Sequence, residues 1–155
     1  MSISLLFVLV SFVFIPMARS CDVYKRTMES IQYWHSYDFS QGMDDAIRVW
    51  YAPDAKVTMG MLTASPQDFF GASSSLELVK LDIHVKDIDC AAEEWCHLHV
   101  FTTYHHRSGE TVSMPQYWTY LYDPVTCLWA HYIILAHSNE MEHMMDVLSP
   151  RDNEL

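Results

Sequence analysis

The chain has 155 residues, of which 50% are hydrophobic and 14% aromatic, so it is long enough and apolar enough to build one packed core. Nine lysines and arginines oppose 20 aspartates and glutamates, which gives a formal net charge of −11. A surface this acidic repels phosphate backbones and anionic lipid headgroups, so we expect neither a nucleic-acid partner nor a role at a membrane surface.

The first 20 residues have the pattern of a secretory signal peptide. An apolar run from Leu5 to Ile15 ends at Pro16, and the small residues Ala18 and Ser20 occupy the positions that a signal peptidase reads. The run is shorter than the ~20 residues that span a bilayer as a helix, although an uncleaved membrane anchor is the alternative interpretation. We therefore predict cleavage of residues 1–20 and a secreted mature chain.

Three helices are predicted in the first half of the mature chain. Apolar residues recur at the helical period over 23–37, and a second short helix over 43–51 carries two aspartates in its first turn, where the helix dipole favours them. Pro53 ends this helix, and a short strand follows over 56–61. Ser65-Pro66 has the character of a helix start, with the serine as N-cap and the proline in the first helical position.

From Leu78 onward the alternation of apolar and polar residues has a period of two, which is typical of strands. Four strands are predicted, over 78–89, 95–107, 110–122 and 127–137. Ser108-Gly109 is predicted as a two-residue hairpin turn, and 123–126 as a four-residue turn. A short helix over 139–147 follows. The chain is therefore predicted to be of the α+β class, with helices packed on an antiparallel sheet.

Four cysteines remain after the predicted cleavage, and an even number in a secreted chain favours two disulfides. Cys90 and Cys96 flank a tight connection between two predicted strands, where cross-strand neighbours come within disulfide distance. Cys127 begins the last predicted strand at the same end of the sheet, and Cys21 at the start of the mature chain can reach it. The predicted pairs are therefore Cys90–Cys96 and Cys21–Cys127.

The polar tail, residues 149–155, ends in Asp152-Asn153-Glu154-Leu155. The final Glu-Leu matches signals of the Lys-Asp-Glu-Leu type, which retain proteins in the endoplasmic reticulum, but an aspartate stands where those signals have a basic residue. An ordinary acidic tail on a secreted protein is the favoured interpretation, and residence in the lumen of the endoplasmic reticulum is the alternative.

The helix–break–helix–strand opening of the mature chain resembles that of the NTF2-like superfamily, especially its SnoaL-like branch. In this chain it reads SYDFSQGMDDAIRVWYAPDAKVTM, beginning at Ser36. In the SnoaL-like branch the second helix ends in Tyr-x-x-Asp-Ala, which is matched here by Tyr51-Ala52-Pro53-Asp54-Ala55. The turn that begins at Asp123 stands where the family often has Asp-Gly-Lys-Ile, so the resemblance extends over the closing strands.

This resemblance implies a fold over residues 21–148 in which a curved antiparallel sheet wraps around the N-terminal helices as a cone. A pocket is expected at the open end of the cone. The superfamily includes isomerases, dehydratases, cyclases and epoxide hydrolases, and also non-catalytic binding and dimerising modules. The fold alone therefore does not decide the function.

The turns predict which side chains share the inner face of the sheet, which is the face that packs against the helices. Pairing across Ser108-Gly109 places His99 opposite Trp118, and pairing across 123–126 places Trp118 opposite His131. On this register the inner face carries Asp87, His97, His99, Phe101, Met114, Gln116, Trp118, Tyr120, Trp129, His131 and Ile133. The opposite, outer face carries Leu98, Val100, Tyr117, Leu121, Tyr132 and Ile134. That face is apolar enough to predict a homodimer surface or a second covered face, and a slip of one residue would exchange the two faces.

An apolar pocket with a few convergent polar groups is the usual form of a small-molecule site. Histidine titrates near neutral pH and a neighbouring carboxylate orients it, so Asp87 and His99 are predicted as a proton-transfer pair. Tyr120 or His131 would polarise a carbonyl of the substrate. The predicted ligand-contacting residues are His97, Phe101, Gln116, Trp118, Trp129 and Ile133. The alternative is that these histidines are core residues hydrogen-bonded to tyrosines.

Metals and cofactors are not expected. His97 and His99 share a strand face, and His131 would supply a third imidazole of a zinc site. Trp118 separates His99 from His131 on the predicted register, however, and no glutamate is near, so we predict no metal site. No Gly-rich phosphate loop or other cofactor motif occurs. His105-His106, beside the turn, is predicted to be a solvated strand end.

Three functions fit these observations. The leading hypothesis is a secreted NTF2-like domain that binds a small apolar or aromatic molecule in its cone. The second is an isomerase, dehydratase or cyclase that uses Asp87 and His99. The third is a non-catalytic dimerising module whose cone is filled by its own large side chains. A cavity smaller than a few hundred Å³ would disfavour both ligand-based functions.

Overall fold

The computed structural model describes residues 20–73, 77–91 and 93–148. The predicted signal peptide, apart from Ser20, and the polar tail lie outside the described residues. Within these ranges the helices are α1 (Val23–Ser36), α2 (Asp44–Trp50), α3 (Pro66–Ser73) and α4 (Ser138–Leu148). The strands are β1 (Tyr51–Met59), β2 (Leu62–Ala64), β3 (Leu78–Ala91), β4 (Trp95–His106), β5 (Thr111–Tyr122) and β6 (Trp129–Leu135), and a 3₁₀ turn (Phe39–Gln41) follows α1.

The strands form one sheet in the order β2-β1-β6-β5-β4-β3. β1 runs parallel to β6, and the other neighbouring pairs are antiparallel. α1 contacts β3 and β4 and buries an apolar stripe that includes Val23, Ile31 and Trp34. The predicted α+β class, with a curved sheet wrapped around helices, is confirmed. No helix within the described ranges is long and apolar enough to cross a membrane.

Side-chain caps define the starts of two helices. The Asp22 carboxylate accepts a hydrogen bond from Lys25 N at 2.9 Å and caps α1. The Ser65 hydroxyl accepts from Asp68 N at 3.1 Å and donates to the Asp68 carboxylate at 2.7 Å. The helix start predicted at Ser65 is therefore confirmed, because its hydroxyl accepts from a main-chain N–H that the first helical turn leaves unpaired.

The structure differs from the predicted elements around β1. The strand begins at Tyr51, directly after α2, rather than at residue 56, because Tyr51 pairs with Trp129 of β6. Pro53 lies exposed within this strand and does not itself end the helix. β2 was not predicted. It returns beside β1 through the two-residue turn Gly60-Met61, in which the glycine has a φ of +60°, a backbone conformation that favours glycine.

The hairpin between β4 and β5 has a loop of three residues, Arg107 to Gly109, where two were predicted. His106 N donates to Glu110 O at 2.9 Å, and Gly109 N donates to His106 O at 2.9 Å. The φ of +91° at Gly109 is typical of the last position of a three-residue loop. The predicted pairing of Arg107 with Glu110 is therefore wrong by one residue, which exchanges the two faces of β4.

This exchange moves three predicted pocket residues out of the cone. Leu98 and Val100 are 2% and 0% exposed on the inner face, although they were predicted for the outer one. His97, His99 and Phe101 lie on the outer face, although they were predicted for the inner one. The side chains of β5, including Trp118, keep their predicted face because the slip affects only one partner of the pair.

A bulge in β6 divides the predictions for that strand. Tyr122 pairs with Trp129, whereas Leu121 pairs with His131, so one residue of β6 is skipped. Trp129 therefore faces inward as predicted and is fully buried. The predictions for His131 and Ile133 are wrong: beyond the bulge these residues lie on the outer face.

The register of β3 against β4 shifts between Val85 and Asp87. On one side of this shift, Leu81 and Ile83 keep their predicted inner face and are buried. On the other side, Cys90 pairs with Cys96 and Asp87 with His99, as predicted. Because β4 has exchanged its faces, Asp87 lies with His99 on the outer face, and it is exposed. The predicted neighbours therefore do lie opposite each other, on the side of the sheet away from the helices.

Both predicted disulfides are present. Cys90–Cys96 joins β3 to β4 with the Cα atoms 4.1 Å apart, and Cys21–Cys127 joins the residue before α1 to the turn after β5 with the Cα atoms 5.4 Å apart. The two bridges lie at one end of the sheet, which we call the disulfide end. The second bridge closes 106 residues of chain, and a loop of that size restricts the unfolded state by about 4–5 kcal/mol.

Aromatic rings fill the interior near the disulfide end. Tyr120 stacks on Trp129 with ring centroids 4.3 Å apart and on Tyr132 at 4.7 Å, and Trp50 stacks on Trp129 at 5.5 Å. Each aromatic pair contributes about 0.5–1.5 kcal/mol beyond its burial. This aromatic stack therefore fills the interior of the cone at the disulfide end.

The Asp82 carboxylate connects α1 to the sheet. It accepts hydrogen bonds from Lys80 Nζ at 2.8 Å and from His105 Nε2 at 2.6 Å, and His35 Nδ1 of α1 lies 3.7 Å away. His35 Nε2 lies 2.7 Å from the main-chain oxygen of Ile83. The hydrogen bond from Lys80 and then that from His105 hold the pKa of Asp82 below its usual value.

We predict that Asp82→Asn lowers the free energy of unfolding by about 1–2 kcal/mol at neutral pH, because the charged hydrogen bonds of the carboxylate are lost. A lowered pKa in the folded state means that the stabilisation is complete above the pKa of the unfolded chain and is lost as the pH falls through the folded-state value. The difference between wild type and variant should therefore shrink toward zero as the pH is lowered through that acidic range. Urea unfolding at neutral and acidic pH measures both effects.

Asp45→Asn is the matched control. Asp45 pairs with Arg48 on the surface, where both side chains are more than three-quarters exposed, so its loss should change stability little. Equal destabilisation by the two variants, or a difference that does not depend on pH, would contradict the role assigned to Asp82.

Candidate functional site

A cavity of about 530 Å³ lies between the sheet and the helices, at the end of the cone away from the disulfides. Its walls are mainly aromatic and aliphatic. They are formed by Trp34, Phe39, Ser40, Gly42, Met43, Met59, Leu62, Phe69, Phe70, Glu77, Leu78, Leu81, Tyr104, Arg107, Trp118, Tyr132, Ile134, Met144, Met145 and Leu148. The volume lies within the range of small-molecule sites, roughly 300–1,000 Å³.

One wall of the cavity is organised by a buried amide. Gln116 is fully buried, and its Oε1 accepts a hydrogen bond from Trp118 Nε1 at 3.0 Å. Its Nε2 donates to the Tyr104 hydroxyl at 2.9 Å. Both ring systems line the cavity, whereas Gln116 lies behind them. The amide therefore fixes the orientation of the two rings.

Burial raises the pKa of Tyr104 to about 12, although the hydrogen bond with Gln116 opposes the shift. The phenol is therefore neutral across the physiological pH range. The uncharged hydroxyl keeps its hydrogen bond with Gln116, so the ring of Tyr104 is held in place as part of the cavity wall.

Three residues, Glu77, His106 and Arg107, form a cluster of polar side chains at the edge of the cavity, which we call the rim cluster. The side chain of His106 is only 5% exposed, and its Nε2 lies 3.4 Å from Glu77 Oε2. Ser108 N donates to His106 Nδ1 at 3.1 Å, so in the neutral ring the proton is on Nε2 and faces the carboxylate. The prediction that His106 belongs to a solvated strand end is wrong, because the three-residue loop turns it inward.

The predicted proton-transfer pair lies outside the cavity. Asp87 and His99 are opposite each other on the outer face, beside a shallow groove of about 290 Å³. His99 stacks on Tyr117 with centroids 4.7 Å apart, and His97 Nδ1 hydrogen-bonds with Thr119 Oγ1 at 2.7 Å. These contacts are with neighbouring side chains of the outer face, so no predicted Asp–His pair faces the interior of the cone.

His131 is also separated from the cavity. Its Nε2 lies 2.8 Å from Thr58 Oγ1, which in turn is hydrogen-bonded to Thr63 Oγ1 at 2.8 Å. Burial, and then the positive charge of Lys56, lower the pKa of His131. The imidazole therefore joins β1, β2 and β6 on the outer face and does not reach a molecule inside the cone.

The remaining predicted residues divide between core and cavity. Trp118 lines the cavity, and Gln116 supports it. Tyr120 and Trp129 are fully buried in the aromatic stack and do not line the cavity, and burial raises the pKa of Tyr120 well above its usual value. Phe101 and Ile133, predicted as ligand contacts, lie on the outer face with the histidines. The part of the chain that the structure describes contains no group of three or more His, Cys, Asp or Glu side chains arranged to hold a metal.

The sequence reasoning missed most of the cavity. The two-residue turn placed Tyr104 and His106 on the outer face, and Gly109 was the signal that could have corrected it. A glycine as the third residue of the connection favours a three-residue loop with that residue in the left-handed region. The sequence of α4 does not predict that this helix lines the cavity, because a short amphipathic helix does not specify which surface it covers.

Comparisons with known proteins give the fold. No family model matches the chain, and no curated protein matches it. Solved structures do match. A candidate SnoaL-like polyketide cyclase from Shewanella denitrificans superposes with a TM-score of 0.62 at 12% identity, over 80% of this chain and 96% of that one.

Two further structures have the same architecture. An NTF2-like protein of unknown function from Burkholderia pseudomallei has a TM-score of 0.61 at 10% identity, over 83% of this chain and 98% of the other. An LEH-like epoxide hydrolase of M. tuberculosis has a TM-score of 0.61 at 5% identity, over 83% and 92%. The resemblance to the NTF2-like superfamily, and to its SnoaL-like branch, is thereby confirmed at the level of the fold.

His99 and His106 each lie on the face opposite to the predicted one, so substitutions at these two positions test the observed register. We predict that His106→Ala lowers the free energy of unfolding by about 1–3 kcal/mol, because a buried ring and its hydrogen bonds with Ser108 are lost. His99→Ala should cost less, about 0.5–1 kcal/mol, because His99 lies partly exposed on the outer face and loses only its stacking contact with Tyr117. Chemical denaturation of both variants measures the difference. A larger loss for His99→Ala would support the two-residue turn and contradict the observed one.

Proposed function

We propose that this chain is a secretory-pathway domain that binds a small apolar or aromatic molecule in the cavity of the cone. The observation that carries the proposal is the cavity itself, whose volume of about 530 Å³ lies within the range of small-molecule sites, roughly 300–1,000 Å³. Its walls combine aromatic rings with a small number of polar side chains, chiefly Tyr104, Glu77 and Arg107. Apolar burial would supply affinity, and the polar groups would orient the ligand.

Methionines favour an adaptable pocket. Met43, Met59, Met144 and Met145 all line the cavity. The thioether side chain is unbranched and polarisable, so it adjusts to ligands of different outline and makes favourable contacts with aromatic rings. A flexible or mixed alkyl–aromatic ligand suits such a lining better than a small rigid polar one.

The secretory location is supported by the two disulfides, which persist in oxidising compartments. The predicted signal peptide over residues 1–20 and the domain limits of 21–148 belong to the same proposal. The end of the chain keeps residence in the endoplasmic reticulum as the alternative to release from the cell.

An isomerase, dehydratase or cyclase is the second function to consider. Fold neighbours that include a candidate cyclase and an LEH-like epoxide hydrolase support it only at the level of the fold. Asp87 and His99 do not face the cavity, so we assign them no catalytic role. Binding is therefore the function that the geometry supports best.

Ligand binding can be tested with N-phenylnaphthylamine, a neutral amine that becomes fluorescent in apolar surroundings. We predict saturable binding to the wild-type protein. Met59→Trp, which enlarges a half-buried wall residue, should weaken binding by about tenfold or more because it fills part of the cavity. Fluorescence titration with direct excitation of the dye measures the Kd.

Val125→Trp is the control for Met59→Trp. Val125 is 90% exposed in the turn between β5 and β6 and does not line the cavity, so the added indole should leave the Kd unchanged. Circular dichroism of each variant establishes that it is folded. No binding by the wild type, or equal effects of the two substitutions, would overturn the proposed function.

The outer face supports a homodimer as a second element of the proposal. Phe101, Tyr117 and Leu135 are 37%, 56% and 50% exposed there, and Tyr117 pairs directly with Leu135 across β5 and β6. Exposed apolar side chains that lie together on one face of a sheet favour contact with another apolar surface. A second copy of the same face provides one through two-fold symmetry.

We predict that the wild-type protein sediments as a dimer at micromolar concentration and that the double variant Tyr117→Glu, Leu135→Glu sediments as a monomer. Two carboxylates placed at the centre of the interface would be desolvated without partners. Val125→Glu adds a carboxylate away from this face and should remain dimeric. A monomeric wild type over the whole concentration range would refute the dimer.

A further inference from the structure

The arginines of the described residues differ in their partners. Arg26 donates to Val49 O at 2.7 Å, lies over the Trp50 ring at 4.1 Å and faces Glu29 at 3.7 Å. Arg48 pairs with Asp45. Arg107 lines the cavity and takes part in no ion pair within the described ranges. The guanidinium at the rim therefore has no carboxylate of the described chain to neutralise it.

The position of Arg107 is set by its main chain. Arg107 N donates to Glu77 O at 2.9 Å, and Gly109 N closes the loop on His106 O at 2.9 Å. These bonds join the start of β3 to the end of β4 and hold the loop at the edge of the cavity. The side chain itself is exposed, so the guanidinium remains accessible to a solute that enters.

The one carboxylate that lines the described part of the cavity belongs to Glu77. Glu77 Oε2 lies 3.4 Å from His106 Nε2. The ion pairs of the described residues do not join Glu77 to Arg107. An acidic group of a ligand would therefore meet a guanidinium that no carboxylate of the described residues already binds.

We propose that the natural ligand is a monoanionic amphiphile, with its apolar body in the cavity and its carboxylate or similar anionic group at Arg107. This inference rests on the proposed binding function and adds the chemical class of the ligand. A guanidinium binds a planar anion through two parallel hydrogen bonds, which gives orientation as well as attraction. The net charge of −11 repels anions over long distances, but salt screens that repulsion beyond about 8 Å under physiological conditions.

Two dyes that share a ring system separate the apolar from the ionic contribution. N-phenylnaphthylamine is neutral, and anilinonaphthalene sulfonate carries one sulfonate on the same skeleton. Arg107→Gln should weaken binding of the sulfonate dye by about tenfold and change the Kd of the neutral dye by less than about twofold. Arg107→Lys, which keeps the charge without the fork of donors, should give an intermediate loss for the sulfonate dye only.

Arg48→Gln is the charge-matched control. It removes the same positive charge at a site that does not line the cavity, so both dyes should bind as they do to the wild type. Displacement of the sulfonate dye by the neutral dye, and weaker binding of both to Met59→Trp, establish that the dyes share the cavity.

The outcomes distinguish this inference from the function on which it rests. Failure of the neutral dye to bind the wild type would overturn the binding function itself. If the neutral dye binds the wild type and Arg107→Gln changes the Kd of both dyes equally, the binding function stands. The proposal of an anionic amphiphile is then overturned. An equal loss of the sulfonate dye in Arg48→Gln and Arg107→Gln would also overturn it, because the effect would then come from net charge.

Discussion

The interior of the cone depends on the main-chain hydrogen bond from His106 N to Glu110 O, which sets the pairing of β4 with β5. This register buries Leu98 and Val100, and burial of each aliphatic side chain contributes about 1.5–3 kcal/mol relative to exposure. The alternative register would bury two imidazoles in their place and would have to find each a hydrogen-bond partner. Turn geometry and apolar burial therefore favour the same pairing, and the identity of every inner-face residue of β4 follows from it.

The two ends of the cone differ in the side chains that form them. At the disulfide end, two covalent bridges enclose a stack of aromatic rings in which Tyr120 and Trp129 are fully buried. At the other end, the walls include flexible methionines and the C-terminal helix. Close packing leaves the first end with little freedom, whereas unbranched thioethers change rotamer easily. The disulfide end therefore holds the strands in place, and the proposed binding end has the more adaptable side chains.

Features that depend on a few adjacent residues were predictable from the sequence. Features that depend on the number of residues in a loop or a bulge were not. The Ser65 cap, the strand periods and the Cys90–Cys96 bridge each follow from a few adjacent residues, and the structure contains all of them. The faces of β4 and β6 depend on whether a loop or a bulge contains one residue more. Because successive side chains alternate across a strand, one extra residue exchanges a histidine for a leucine on the inner face. The predicted cone was therefore right, while most of the predicted site was on its outside.

The polar groups inside the cavity are paired with one another, whereas the rim carries a positive charge that is unpaired within the described ranges. Inside the cavity, Gln116 shares its amide between Tyr104 and Trp118, so these groups largely satisfy one another and give the wall its shape. At the rim, Glu77 is directed toward His106, and the charge of Arg107 is not matched within the described residues. A polar group on a ligand gains most where the protein has an unmatched partner and least where a paired network would have to open, because an opened network leaves buried groups unsatisfied. Under the proposed binding function, the volume of the cavity would select the apolar body of a ligand, and Arg107 at the rim would select its charge.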